Sequence, residues 1–370
     1  MPSRKSYGKS HHGCLQCKQR RIKCDETRPH CGSCRKKHIS CTFESYHPQD
    51  FRPWGFSAAD PGRSTSSTSS LALGDLELLN HWHTAVASSL AQNEALVDVF
   101  QTHVPHKGIS YPFLMHGILA ISALHISREM SDSRCQKYAT MAIQHHTLSL
   151  SLSALNLSHI TPANCHALFA CSLLIASFSF GYRGSDTPRS MTMGEVISTL
   201  QLLRGSASIA ETARPWIERG DLKPLLKFTR GAHQSQTSQV NEIHTRLKAL
   251  LGLQANAWLF KCQRKPVVQK SIQKLMDVVD SYVATENPRT ILAWPTMIEA
   301  EYLDLVLEKE PMSLVTLAHY GALLHLMTKA WWMKGWGETM VNLAKGCLDM
   351  SLQSAIAWPL AVINNSGAGE

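Results

Sequence analysis

Six cysteines fall between positions 14 and 41 as Cys14-x2-Cys17-x6-Cys24-x6-Cys31-x2-Cys34-x6-Cys41, so the unit C-x2-C-x6-C occurs twice around a short loop containing Pro29. The first ten residues carry positive charge but no apolar run behind it, which argues against a secretory signal. In the reducing compartment this implies, a thiol framework of this spacing binds metal rather than forming disulfides. Six thiolates cannot complete two separate four-cysteine tetrahedra, and a single zinc would leave two of them idle. Sharing one cysteine from each half between two Zn2+ ions gives each ion four sulfurs. The equivalent first positions, Cys14 and Cys31, are the natural bridges. Cys17 and Cys24 then finish one shell, and Cys34 and Cys41 the other.

Charge is as localised as sulfur. Residues 1–41 hold eleven Lys or Arg against Asp25 and Glu26, which equals the whole formal charge of +9. The rest of the chain balances 26 bases against 26 acids. Six thiolates and two zinc ions still leave the head cationic, at about +7. A neutral body with one compact cationic head implies a polyanionic partner for the head and something uncharged for the rest.

Residues 14–41, with Cys-Leu-Gln-Cys-Lys-Gln-Arg-Arg-Ile-Lys-Cys-Asp and then Arg28-Pro29-His30-Cys31 and Cys34, resemble the binuclear zinc cluster (Zn2Cys6) DNA-binding domain of fungal transcription factors. The resemblance implies a small domain of two short helices around paired zincs, docked in the major groove of double-stranded DNA. It also implies that the end of the first helix reads a CGG-type triplet, with Lys18, Arg20, Arg21 and Lys23 matching the family's basic run. Independently, a short helix after Cys17 is expected to show Lys18, Arg20, Arg21 and Lys23 to solvent while Ile22 packs inward. Arg20 or Arg21, with Arg21 the first candidate, can bond guanine O6 and N7 together, for about 1–3 kcal/mol of discrimination. Lys18, Lys23, Arg35, Lys36 and Lys37 suit phosphates. Arg4, Lys5 and Lys9 belong to a basic arm, residues 1–13. A zinc module for protein contacts, a redox switch, or a nuclear import signal would use some of the same features. Six cysteines already satisfy two ions, so His11, His12, His30 and His38 read as surface residues or phosphate contacts.

Residues 42–70 read as a flexible linker, rich in Pro, Gly and Ser, with no apolar heptad for a coiled coil. From 71 to 360 apolar residues recur at helical spacing, and the fold class is all-α: a small cluster domain, a linker and a large helical regulatory domain, with 361–370 a tail. One helix is expected to be lined by Leu76, Leu79, Trp82, Val86 and Leu90, and another by Leu114, Ile118, Ile121 and His125. Further helices are expected near 133–156, 162–180, 190–209, 238–261, 267–285, 290–308, 312–333 and 338–356. The segment 164–180 is uncharged but polar enough to read as a buried helix rather than a membrane span.

Several segments, among them Tyr111-Pro-Phe-Leu-Met-His-Gly-Ile-Leu-Ala-Ile-Ser-Ala-Leu-His125 and Leu317-Ala-His-Tyr-Gly-Ala-Leu-Leu-His325, resemble the regulatory region of fungal sterol uptake control protein-type factors. That implies a helical effector domain, often dimeric, in some relatives with a lipid or sterol pocket. Trp331, Trp332, Met333 and Trp336, beside Gly335 and Gly337, are candidates for lining one, although aromatics and methionines at this spacing also serve as plain core. His81/His83 and His145/His146 cannot both face one site, being one or two residues apart on a helix, and read as partly exposed. Cys135, Cys165, Cys171, Cys262 and Cys347 lack metal spacing and read as buried small hydrophobes. No zincin, nucleophile-elbow, phosphate-loop or dinucleotide motif occurs, so no enzyme and no catalytic residue is expected.

The reading is a nuclear, sequence-specific DNA-binding regulator with two Zn2+ as cofactors. Its body forms a homodimer, senses a sterol or lipid effector or contacts the transcription machinery. It controls either sterol and lipid genes or a secondary-metabolite gene cluster. The end of the sequence carries no acidic-hydrophobic run, so activation and repression both stay open.

Overall fold

The computed structural model describes residues 14, 16–17, 20, 22–25, 27, 31–37 and 39 of the head. In the body it describes 73–91, 93–131, 133–182, 191–226, 243, 245–252, 264–285, 287–325 and 330–365. The chain separates into two compact units, residues 1–71 and 72–370. Every regular element among the described residues is helical.

In the head, α1 is the single turn Gly32–Arg35. The long helices of the body are α2 (Leu73–His81), α3 (Pro112–Glu129), α4 (Arg134–Ala154), α5 (Cys165–Gly181), α6 (Met193–Ile217), α7 (Lys265–Thr285), α8 (Pro311–His325) and α9 (Trp336–Cys347). Among the described residues, no helix is long and apolar enough to cross a membrane.

Burial follows the distribution of apolar side chains. Helices α3, α5 and α8 are apolar nearly all round and lie in the middle of the core, as such helices must. Leu114, Ile118, Ile121 and His125 are all buried, as expected of α3. By contrast α7 is amphipathic: Val268, Ile272, Leu275 and Val279 form its inner stripe, and Lys270, Lys274 and Asp277 lie outside it. Pro112 starts α3 from the first-turn position where its missing N–H costs nothing. A capping box starts α6: Thr192 Oγ1 accepts the Glu195 N–H at 3.3 Å and Glu195 Oε2 accepts the Thr192 N–H at 2.7 Å.

The elements depart from the sequence pattern in several places; the expected 338–356 helix, for one, is divided into α9 and the 3-10 turn Met350–Ile356. After α2 the chain makes a π turn, Trp82–Val86, and the buried stripe runs through Leu78, Trp82, Val86 and Leu90, leaving Leu76 43% exposed. Helix α6 runs past the expected end at 209 because Ala210, Ala213 and Ile217 continue its buried face. The expected 290–308 helix is broken into Pro288–Ala293, Trp294–Met297 and Ala300–Leu307. Likewise α8 ends at His325, and a separate 3-10 turn, Trp331–Met333, precedes α9.

Three buried tryptophans join these helices, each donating its indole N–H to a backbone carbonyl. Trp82 bonds Phe100 at 2.8 Å, Trp294 bonds Ser271 at 2.9 Å and Trp336 bonds Phe180 at 2.6 Å. A buried ring thus contributes its apolar area without stranding a donor. Helices α8 and α9 approach through glycines: a Cβ on Gly337 would lie 2.4 Å from the Gly321 carbonyl oxygen and 2.7 Å from the His325 nitrogen. Gly335, at φ 79°, turns the chain into α9. Gly335 and Gly337, read from sequence as flexibility beside the tryptophans, are a turn and a contact.

Two outcomes follow for stability. Gly337→Ala overfills the crossing and should lower the unfolding free energy by about 1–3 kcal/mol, read as a lower urea midpoint with unchanged slope. Burial pushes the imidazoles of His146 and His319 down to about 4. Both are neutral in the fold, whereas an unfolded imidazole protonates near 6.5. Stability is therefore complete above pH ~6.5 and drains as pH falls toward ~4, by at most ~3 kcal/mol per imidazole. His319→Gln should flatten the pH dependence of the thermal midpoint across that window.

Candidate metal centre and nucleic-acid interface

The interior of the head is sulfur. Cys14, Cys17, Cys24, Cys31 and Cys34 are its buried cluster. The Sγ atoms of Cys14, Cys17, Cys24 and Cys31 all lie within 4.8 Å of one another. Cys14 Sγ is 3.6 Å from both Cys31 Sγ and Cys34 Sγ, and Cys17 Sγ is 3.6 Å from Cys31 Sγ. These separations are far above a disulfide bond of about 2.05 Å. They match the sulfur–sulfur edge of about 3.8 Å in a tetrahedron with Zn–S bonds of about 2.3 Å. The donor set therefore fits zinc. Each half reaches into the other, since Cys14 touches Cys34 and Cys31 touches Cys17. Cys41 lies outside the described residues.

Protonation of the cluster is uneven. Burial, with the neighbouring sulfurs of Cys14 and Cys31, pushes the Cys17 thiol far above the ordinary thiol range. At Cys14 and Cys31 burial also opposes ionisation. The Cys17 N–H and the sulfurs of Cys17, Cys34 and Cys31 outweigh it at Cys14, and the Cys34 N–H with the sulfurs of Cys34 and Cys17 outweigh it at Cys31, against the raising effect of Cys14, so both are lowered. The Cys34 N–H reaches Cys31 Sγ at 3.4 Å at the start of α1, and the Cys14 N–H reaches Cys24 Sγ at 3.4 Å. A metal ion must displace the remaining protons, which ties its affinity to pH.

A carboxylate that sequence reasoning passed over joins the halves. Asp25 accepts the Gly32 N–H at 2.8 Å through Oδ2 and the Thr27 hydroxyl at 2.8 Å through Oδ1. The Thr27 hydroxyl and the Gly32 N–H hold its pKa below the ordinary carboxylate value against the pull of desolvation. A Cβ on Gly32 would lie 2.5 Å from Asp25 Oδ2, so the clamp requires glycine there. An acid directly after a cysteine of the first half and a glycine directly after one of the second were the available signal.

The cationic residues divide. Lys23, Arg35, Lys36 and Lys37 are exposed, whereas Arg20 is half-buried and its Nη1 has no hydrogen-bond partner among the described residues. Lys18 and Arg21 lie outside the described residues. Ile22, expected inside, is 40% exposed. The turn after Cys17 closes through Ile22 N–H to the Cys17 carbonyl at 3.1 Å, and the buried cluster among the described head residues is made of cysteines.

In the body, the histidines pair across helices rather than along them. His81 Nε2 lies 3.0 Å from His125 Nδ1, with Glu129 Oε2 3.4 Å from the same nitrogen. His116 Nδ1 lies 3.0 Å from His145 Nδ1, and Asp75 Oδ1 is 3.4 Å from His145 Nε2. Cys165 and Cys171 are buried, Cys135 and Cys347 only partly so, and Cys262 lies outside the described residues. Of the four aromatic-segment candidates, Trp332 borders a cavity of about 660 Å3. Trp331 packs edge-on to His125 and donates to Ser89 Oγ at 3.0 Å, and Trp336 and Met333 are core.

Residues 12–49 match the fungal Zn(2)-Cys(6) binuclear cluster domain. Over 403 aligned residues the chain is 25% identical to a Zn(2)-C6 fungal-type transcription factor of Gibberella zeae, covering 90% of this chain and 81% of the relative. It is 24% identical over 334 residues to the Zn(2)-C6 fungal-type transcription factor afumD of Aspergillus fumigatus, covering 86% of each. It is 27% identical over 165 residues to sterol uptake control protein 2 of Saccharomyces cerevisiae, which is 44% of this chain and 18% of that one.

The purified chain should carry two zinc ions by elemental analysis and release them on acidification as the thiolates take up protons. Asp25→Ala should loosen the contact between the two halves and speed zinc transfer to a chromogenic chelator. Retention at the unaltered rate would count against the clamp.

Proposed function

We propose that this homologue of fungal Zn2Cys6 transcription factors is a nuclear, sequence-specific DNA-binding regulator of genes transcribed by RNA polymerase II. The observation that carries the reading is the buried sulfur set at tetrahedral spacing, surrounded by exposed Lys23, Arg35, Lys36 and Lys37. Zinc supplies rigidity there, not chemistry. Cys14 and Cys31 would be the ligands shared by the two ions, with Cys17 and Cys24 completing one set and Cys34 and Cys41 the other. The contacts of Cys14 with Cys34 and of Cys31 with Cys17 support that assignment. With the scaffold rigid, Arg20 and Arg21 are carried to base edges, while Lys18, Lys23, Arg35, Lys36 and Lys37 meet phosphates.

For target genes, the partial likeness to a sterol uptake control protein supports control of sterol and lipid metabolism. A second reading, a pathway-specific regulator of a secondary-metabolite cluster, draws on the two relatives that match most of the chain without a sterol name. Transcript profiling after overexpression separates them: scattered sterol genes rise or fall under the first, one contiguous gene set under the second.

Selection of bound duplexes from a random pool with the full chain should return a short G·C-rich motif, occurring in pairs if the body dimerises. Arg21→Ala should cost about 1–3 kcal/mol at one base position, whereas Lys36→Ala should weaken all sequences alike and reduce the salt dependence by about one counterion. Absence of any enriched motif would leave a zinc-supported protein scaffold instead.

A further inference from the structure

The cavity bordered by Trp332 lies between α5, α6 and the Pro288–Ala293 turn, within the body alone. Its volume of about 660 Å3 falls in the range of sites for drug-sized ligands. Most of the wall is apolar, with Phe100, Phe169, Leu174 and Leu203 among the lining residues. Four charged side chains also reach it: Arg204, Glu211, Arg214 and Arg289.

Three of the four are already paired. Arg204 donates to the backbone carbonyls of Pro295 and Ile298. Arg214 holds Glu211 at 2.6 Å and Glu218 at 3.6 Å. Arg289 differs. Among the described residues its contacts are one long hydrogen bond, 3.4 Å to the Leu90 carbonyl, and the Phe100 ring, 5.9 Å from the guanidinium carbon. No ion pair to it is formed among the described residues, and the cavity's Glu211 is held by Arg214. Protein surrounds it closely enough that burial brings its pKa down to about 10, so at neutral pH it remains a cation. A guanidinium has five N–H donors, and a partly buried cation without an anion beside it is costly. Nothing else among the described residues offsets that cost.

We propose that this cavity binds an apolar monocarboxylate, its carboxylate held in a two-pronged ion pair by Arg289 and its hydrocarbon body laid against Phe100, Phe169, Leu174 and Leu203. An inorganic anion would leave the apolar wall uncovered, and a neutral lipid would leave the guanidinium unanswered. The site is independent of what the head binds, and goes beyond the DNA-binding reading.

The test uses the full zinc-loaded chain with dodecanoate, dodecanol and ergosterol as probes, read by isothermal titration and by the quenching of tryptophan emission. Dodecanoate should bind one per chain, and dodecanol roughly tenfold or more weakly, the size expected for loss of a charge-assisted pair. Arg289→Met should abolish the preference for acid over alcohol, and Arg289→Lys should keep part of it. Leu203→Trp, which fills the cavity while leaving Arg289 in place, should block both probes. The proposal is overturned by equal binding of acid and alcohol, by no binding of dodecanoate, by tighter binding of ergosterol, or by Leu203→Trp binding as before. A folded Arg289 variant that keeps full discrimination overturns it too. Duplex binding, measured in parallel, reports on the head separately, so either reading can fail alone.

Discussion

The head depends on thiolate sulfur gathered out of water. Its buried cluster among the described residues consists of cysteines alone. Burial makes the Cys17 thiol reluctant to ionise, and a metal–sulfur bond is a gain that reverses that reluctance. Folding, zinc loading and the presentation of basic side chains are therefore one event. The Asp25 carboxylate adds a hydrogen-bonded tie from the end of the first half to the first N–H of α1, which sets where Arg35, Lys36 and Lys37 stand.

The body obeys different rules. It has an extensive apolar core, a balance of opposite charges, and helices apolar enough to be enclosed on every side. Its polar interior groups are mostly satisfied locally, as with the indoles of Trp82, Trp294 and Trp336, or across helices, as with His81 and His125. Against that background a cationic Arg289 that forms no ion pair among the described residues, at a cavity whose Glu211 is already held by Arg214, stands out by its chemistry. A head that meets a polyanion and a body that accepts a small acid would give one chain two chemically distinct inputs.

The degree to which these features could be read in advance varies with how local they are. Cysteine spacing and the basic run lie within a few residues of one another, and the family match at residues 12–49 agrees with them. Helices α3, α4, α5 and α7 were visible because their apolar or amphipathic runs are long and uninterrupted. The break between Ala293 and Ala300 was not, since Pro295 sits near a helix start, where it can be tolerated. The histidines show the limit more sharply. His81/His83 and His145/His146 drew notice as sequence neighbours, yet the rings that meet are His81 with His125 and His145 with His116. The tryptophans near 331–336 suggested a pocket, and of them Trp332 borders the cavity beside Arg289.

Taken alone, the sequence established a two-zinc head, a cationic surface on it, and a helical body of neutral charge, because ligand count, charge and periodicity are additive along the chain. Tertiary structure decided the Asp25 clamp on Gly32, the histidine pairs, the Gly321–Gly337 crossing and the cavity at Arg289. Each of these depends on a distance between groups on different elements or segments rather than on neighbours in sequence. Such distances are set by how whole helix surfaces pack, and a void in that packing leaves no mark on any single stretch of residues.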